Sequence, residues 1–241
     1  MYMESKEVEL LIADPRVLKI PVEENHEAMI DIISLGDIAI GPSPEIENNT
    51  DYTQMRKAVY DKLVFAQTLL PKNIKFCLYE AYRSLNTQEI LFDARKKSVQ
   101  EKHPELSGKA LFDEITKLVS PIINFDGSVN IPPHATGAAV DVYLIDENGH
   151  SLDMGIHPKD WLLDIDGILS KTGATQISAE AKKNRQMMSD VLSKAGFVNY
   201  FTEFWHWSYG DRYCAYQCGK SHAIYGVVND RESIGGSRNS G

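Results

Sequence analysis

Between Asp51 and Leu70 the apolar residues Met55, Val59, Leu63, Ala66 and Leu70 recur at steps of three and four, and Pro71 halts the run. That spacing predicts one amphipathic helix. Ile74 to Tyr79 (IKFCLY) then alternates, with Ile74, Phe76 and Leu78 on one face, the period of a strand. A second helix is expected to begin near Asn86, capped by that side chain with Glu89 reaching back from three residues on. Arg83 falls in the junction between strand and helix. Leu111, Ile115 and Leu118 stripe a further helix over Ser107 to Val119.

Asp141 to Ile145 (DVYLI) alternates again, and Asp146-Glu147-Asn148-Gly149 supplies turn residues before Ser151-Leu152, so a β-hairpin is expected. Ser178 to Ala195 returns to the helical period and stops at Gly196, where glycine adopts a left-handed cap at little cost. Phe197 to Tyr200 and Glu203 to Tyr209 read as aromatic-rich strands. Helices and antiparallel strands in blocks predict an α+β fold. No repeat or internal linker divides the chain, so one domain over residues 1–229 is expected, with residues 230–241 (DRESIGGSRNSG) as a flexible tail.

The 241 residues, 43% hydrophobic, suffice for one buried core. A formal net charge of -9 argues against nucleic acid or an anionic membrane as partner and favours a small molecule or peptide. Charges interrupt the apolar runs of Met1 to Ile20, and no apolar stretch reaches bilayer-spanning length. Together with three cysteines, Cys77, Cys214 and Cys218, that form no paired framework, this leads to the expectation of a cytoplasmic protein.

Chemistry concentrates in PPHATGAAVD (Pro132 to Asp141) and TEFWHW (Thr202 to Trp207). Catalytic zinc takes three protein ligands from imidazole and carboxylate and keeps a fourth position for water. His134, Asp141 and His206 would form such a set, with the small residues Thr136 to Ala139 letting the chain turn close to the ion. Neighbouring divalent ions suit the same donors. Glu203 would move the protons. Residues three apart in a regular strand point to opposite faces, however, so Glu203 and His206 converge only if the chain bulges or turns between them. Arg83 would stabilise negative charge on the scissile carbonyl.

Each feature alone also has an ordinary structural reading: a hydrogen-bonded histidine, a salt-bridged arginine, and core packing for Phe204, Trp205 and Trp207. His26, His103, His150, His157 and His222 read as surface residues.

Taken in order, EAYRS at Arg83, PPHATGAAVD, LDMG at Leu152 to Gly155, NRQMM at Asn184 to Met188, GFVNY at Gly196 to Tyr200 and EFWHWSYGD at Glu203 to Asp211 resemble the D-alanyl-D-alanine dipeptidases, zinc enzymes related to the vancomycin-resistance dipeptidase. The similarity runs from about Asp51 to Val228. It implies a compact α+β domain with a central antiparallel sheet flanked by helices and one zinc ion in a cleft on that sheet. It implies His134, Asp141 and His206 as the zinc ligands, Glu203 as acid/base and Arg83 as the carbonyl-polarising residue. The implied reaction splits free D-Ala-D-Ala, a cell-wall precursor, into two D-alanines. Pro132 stands where the family has serine, and Asp160, displaced by about one residue, is the nearest match to the acid that holds the substrate's ammonium group. A zinc D,D-carboxypeptidase acting on longer muropeptides and a zinc-containing binding module without hydrolysis are the alternatives.

Overall fold

The computed structural model describes residues 10–42, 44 and 49–228. The expected tail, 230–241, lies outside them. In chain order the elements are α1 (Pro15–Leu18), β1 (Met29–Asp31), β2 (Ala39–Ile40), β3 (Gln54–Arg56), α2 (Lys57–Thr68), β4 (Ile74–Glu80), α3 (Leu85–Lys102), α4 (Gly108–Ile115), β5 (Ala139–Asp146), α5 (Ala179–Lys194), β6 (Val198–Asn199), β7 (His206–Ser208) and α6 (Arg212–Gln217). Short 3-10 turns cover Asp51–Thr53, Pro133–Thr136 and Pro158–Leu163.

A five-stranded sheet in the order β2-β4-β5-β7-β6 organises this α+β domain, and β1 and β3 form a separate antiparallel pair. The central sheet is mixed, which corrects the antiparallel expectation: β2 runs parallel to β4, and the other neighbours are antiparallel. The connection explains it, because the chain leaves β2, passes through β3 and α2, and returns to β4, a crossover of the kind parallel neighbours need. Two residues of β2 carry too little pattern to be seen in sequence.

The helix expected over Asp51 to Leu70 begins only at Lys57. Gln54 to Arg56 instead pair with Met29 to Asp31, and Arg56 keeps extended backbone as the residue before the helix. The first apolar member of the run, Met55, is fully buried from a strand. Ser84, not Asn86, caps α3, accepting from Thr87 N–H at 3.2 Å. Helix α4 stops at Ile115, short of the expected end. The hairpin turn forms, with Gly149 at φ +83, but its returning arm is a single bridge from Ile145 to Ser151. Ser178 caps α5 and Gly196 leaves it at φ +90, as expected.

Strand alternation divides the sheet. Phe76, Leu78, Val140, Val142 and Leu144 face a core shared with Val59 and Leu63 of α2 and Met188 and Leu192 of α5. Cys77, Tyr79, Asp141, Tyr143 and Ile145 occupy the other face. His157, expected at the surface, is half-buried there, edge-on to Tyr143 and Tyr79 with ring centroids 4.5 and 6.2 Å away. Burial, with Lys159 nearby, lowers its pKa. No described helix is long and apolar enough to cross a membrane.

Candidate metal centre

Pro132 and Pro133 lead into the turn that carries His134, and Gly137 ends it at φ +67, a left-handed conformation that side chains rarely adopt, where an added Cβ would also displace the end of the Met29 side chain. Two residues later β5 begins, and its third residue, Asp141, lies opposite His206 of β7 in the strand register. The sheet therefore sets Asp141 beside His206, and the proline-led turn brings His134 over both.

Three atoms meet there. His134 Nε2 lies 3.1 Å from His206 Nδ1 and 3.3 Å from Asp141 Oδ1, and the last two are 3.0 Å apart. His134 Nδ1 faces the carbonyl oxygen of Ala81 at 2.6 Å, which can only accept, so Nδ1 carries the proton and Nε2 turns a lone pair inward. Tetrahedral zinc with bonds of about 2.1 Å holds pairs of ligand atoms ~3.4 Å apart, within a few tenths of an ångström of all three separations. These residues, all buried, can hold a metal ion.

Glu203 does not belong to the strand expected for it. It sits in a turn between β6 and β7, where His206 N–H donates to the Glu203 carbonyl at 3.1 Å. The Asn199 amide donates to the carbonyls of Glu203 and His206 at 3.1 and 2.9 Å, and the Trp207 indole donates to the Phe204 carbonyl at 3.0 Å. The turn supplies the convergence that alternation forbids: Glu203 Oε2 lies 3.8 Å from His206 Nδ1.

Arg83 occupies the β4–α3 junction, as expected. Its N–H donates to the His134 carbonyl at 3.3 Å, tying the two segments together. Its guanidinium donates to Glu80 Oε2 and, at 3.0 Å, to Gln88 Oε1, while Gln88 donates to the Ser120 carbonyl at 2.7 Å. The buried Glu80 forms an ion pair with Arg83 that fixes the guanidinium in place.

Burial alone would raise the Asp141 pKa, yet His134 and His206 outweigh it and hold the carboxyl well below the usual range. Glu203 goes the other way, since burial and then the Asp141 charge raise it, and His134, Arg83 and Arg95 offset this only in part. Two carboxylates in one buried site are thus driven apart.

His134, Asp141, His206, Glu203 and Arg83 all line one narrow cavity of about 40 Å³. Asp160 does not: it is half-buried on the Pro158–Leu163 turn, which contributes Pro158 and Trp161 to the wall instead. Sequence reasoning also missed Ile12, Trp161 and Tyr200 as wall residues. Tyr200 lay in a recognisable aromatic motif, but Ile12 reaches the site only through the packing of Leu10, Ile12 and Val17 against Tyr200 and Tyr213. Phe204, Trp205 and Trp207 are core residues as expected, and Trp205 also lines the cavity.

Residues 50–223 match the family described as D-ala-D-ala dipeptidase. A D-alanyl-D-alanine dipeptidase of Synechocystis sp. is 25% identical over 244 residues, spanning 88% of this chain and 96% of its own. That of Escherichia coli is 31% identical over 75 residues, 30% of this chain and 35% of its own. Among solved structures, the LdcB LD-carboxypeptidase superposes with a TM-score of 0.40 at 17% identity, covering 80% of this chain and 73% of that one.

Proposed function

Starting from a chain that belongs to the D-Ala-D-Ala dipeptidase family of peptidases, we propose that it hydrolyses free D-Ala-D-Ala to two D-alanines with one zinc ion held by His134, Asp141 and His206. The convergence of His134 Nε2, His206 Nδ1 and Asp141 Oδ1 within 3.0–3.3 Å, with Glu203 and Arg83 facing the same cavity, carries this reading. Two imidazoles and one carboxylate are the donors of a catalytic zinc site that keeps a position open.

Bound there, the cation supplies Lewis acidity to water and to the scissile carbonyl. Glu203 accepts the proton of the attacking water as its oxygen bonds to the carbonyl carbon, and delivers a proton to the amine nitrogen as the C–N bond breaks. Its raised proton affinity, set by burial and by Asp141, suits a group that must both take and hold a proton. Arg83, immobilised by Glu80 and Gln88, stabilises the charge that develops on the carbonyl oxygen. The narrow cavity, walled by Trp161, Tyr200 and Trp205, favours a substrate with small side chains. Holding the ammonium group is not assigned to Asp160, which is absent from that wall.

The test is zinc-loaded protein incubated with D-Ala-D-Ala, L-Ala-L-Ala and a pentapeptide stem, with released alanine quantified. Alanine is expected from D-Ala-D-Ala alone, lost on chelation and restored by zinc. Release from the stem alone would instead identify a carboxypeptidase, and release from none of the three would leave a non-catalytic module.

A further inference from the structure

The alternation of β7 places His206 and Ser208 on one face, in register with Asp141 and Ala139 of β5. Beyond them the chain turns at Gly210, φ +83, and Asp211 comes back over that face, where Ser208 Oγ donates to its Oδ1 at 3.0 Å. The same Oδ1 accepts Cys214 N–H at 2.7 Å and caps α6. One carboxylate oxygen is therefore fully engaged. The other, Oδ2, is buried with no hydrogen-bond partner among the described residues.

His206 shows the complementary want. When Nδ1 binds a cation, a neutral imidazole carries its proton on Nε2, and Nε2 is buried with no hydrogen-bond partner among the described residues. A buried donor and a buried acceptor left unpaired on the same face are each costly.

We propose that Asp211 is a positioning residue of the metal centre: its Oδ2 accepts the Nε2–H of His206 through one bridging water, and so keeps Nδ1 turned to the cation. Carboxylates in this position orient the imidazole and raise its strength as a ligand. The inference rests on the metal reading above and adds to it a residue that touches neither substrate nor ion.

Zinc affinity, measured by competition with a chromophoric chelator, and the visible spectrum of the cobalt-substituted protein test it on the full chain. Asp211→Asn retains an oxygen for Ser208 and Cys214 but offers an amide donor where Oδ2 stands. Its zinc affinity is expected to fall by roughly 10–100-fold, with a displaced cobalt band that Asp211→Glu restores in part. Loss of a helix cap alone would lower the melting temperature of the metal-free protein and leave that band in place.

Wild-type affinity and an unchanged band in Asp211→Asn would overturn the proposal while the metal reading stands. No zinc uptake by the wild type would overturn both. Should the variant fail to fold, ¹⁵N shifts of zinc-loaded wild type decide: a slowly exchanging Nε2–H on His206 is expected, and a freely exchanging one would refute the assignment.

Discussion

Successive residues of β5 enter two different environments, although every one of them is buried from Ala139 to Ile145. Val140, Val142 and Leu144, all 0% exposed, pack against the helices on one face, while Asp141 and Tyr143, at 3% and 6%, belong to the face that carries the metal donors. The apolar face is satisfied by contact alone, so each side chain there adds stability on folding. On the polar face, polar atoms of His134, His206 and Asp141 crowd within 3.0–3.3 Å of one another and the charge of Asp141 raises the pKa of a buried Glu203. Such an arrangement gains little from packing, and its three donors can hold a metal ion. One strand thus supplies rigidity from its even positions and chemistry from an odd one.

Substitutions on the polar face sharpen this contrast most. His134→Ala is expected to remove zinc and hydrolysis together, whereas Glu203→Ala lowers kcat by roughly 10²–10⁴-fold with zinc content near that of the wild type. Metal analysis beside dipeptide turnover checks both. Zinc loss in the Glu203 variant would make it a ligand and not a proton carrier.

Leu144→Ala probes the opposite face. It is expected to cost about 2–5 kcal/mol of unfolding free energy while turnover per folded, zinc-loaded molecule stays unchanged. Denaturant titration and kinetics on the same sample measure both, and a matching fall in turnover would mean that the two faces are not separable.

The smallest effect concerns metal-free protein. The Glu203 pKa is raised on folding, so its stabilising contribution is complete below the ordinary glutamate value of about 4.5 and is lost as pH rises toward the folded value. Glu203→Gln, without that ionisation, should melt higher than the wild type at neutral pH, the difference vanishing below about pH 4.5. Asp141, whose pKa is depressed, acts oppositely, adding stability that disappears as pH falls, and it is common to both proteins. Equal melting temperatures at neutral pH would remove Glu203 as a source of strain.

Much of the site was legible because its residues lie in short, strongly patterned segments. The strand alternation around Asp141 and Leu144 needed no tertiary information, and the six ordered segments pointed to the family that residues 50–223 match. The misread parts failed for identifiable reasons. The run from Met55 to Leu70 kept helical spacing through residues that β1 captures as a strand, because interstrand hydrogen bonds outweigh propensity over so short a stretch. Asn86 and Ser84 are both good caps, and only the path of the chain out of β4 selects Ser84. Ile12 had no local signature, since its place in the cavity wall depends on packing against Tyr200 and Tyr213, far away in sequence.

Sequence alone nominated His134, Asp141 and His206 as candidate donors, because coordination chemistry restricts which side chains can grip a metal ion, and it determined which positions of β5 seek a core, because a strand has a period of two. Tertiary structure decided where the donors meet. The crossover that makes β2 parallel, the turn that swings Glu203 toward His206 and the return of Asp211 over β7 all arise from hydrogen bonds between distant segments, which no local pattern encodes.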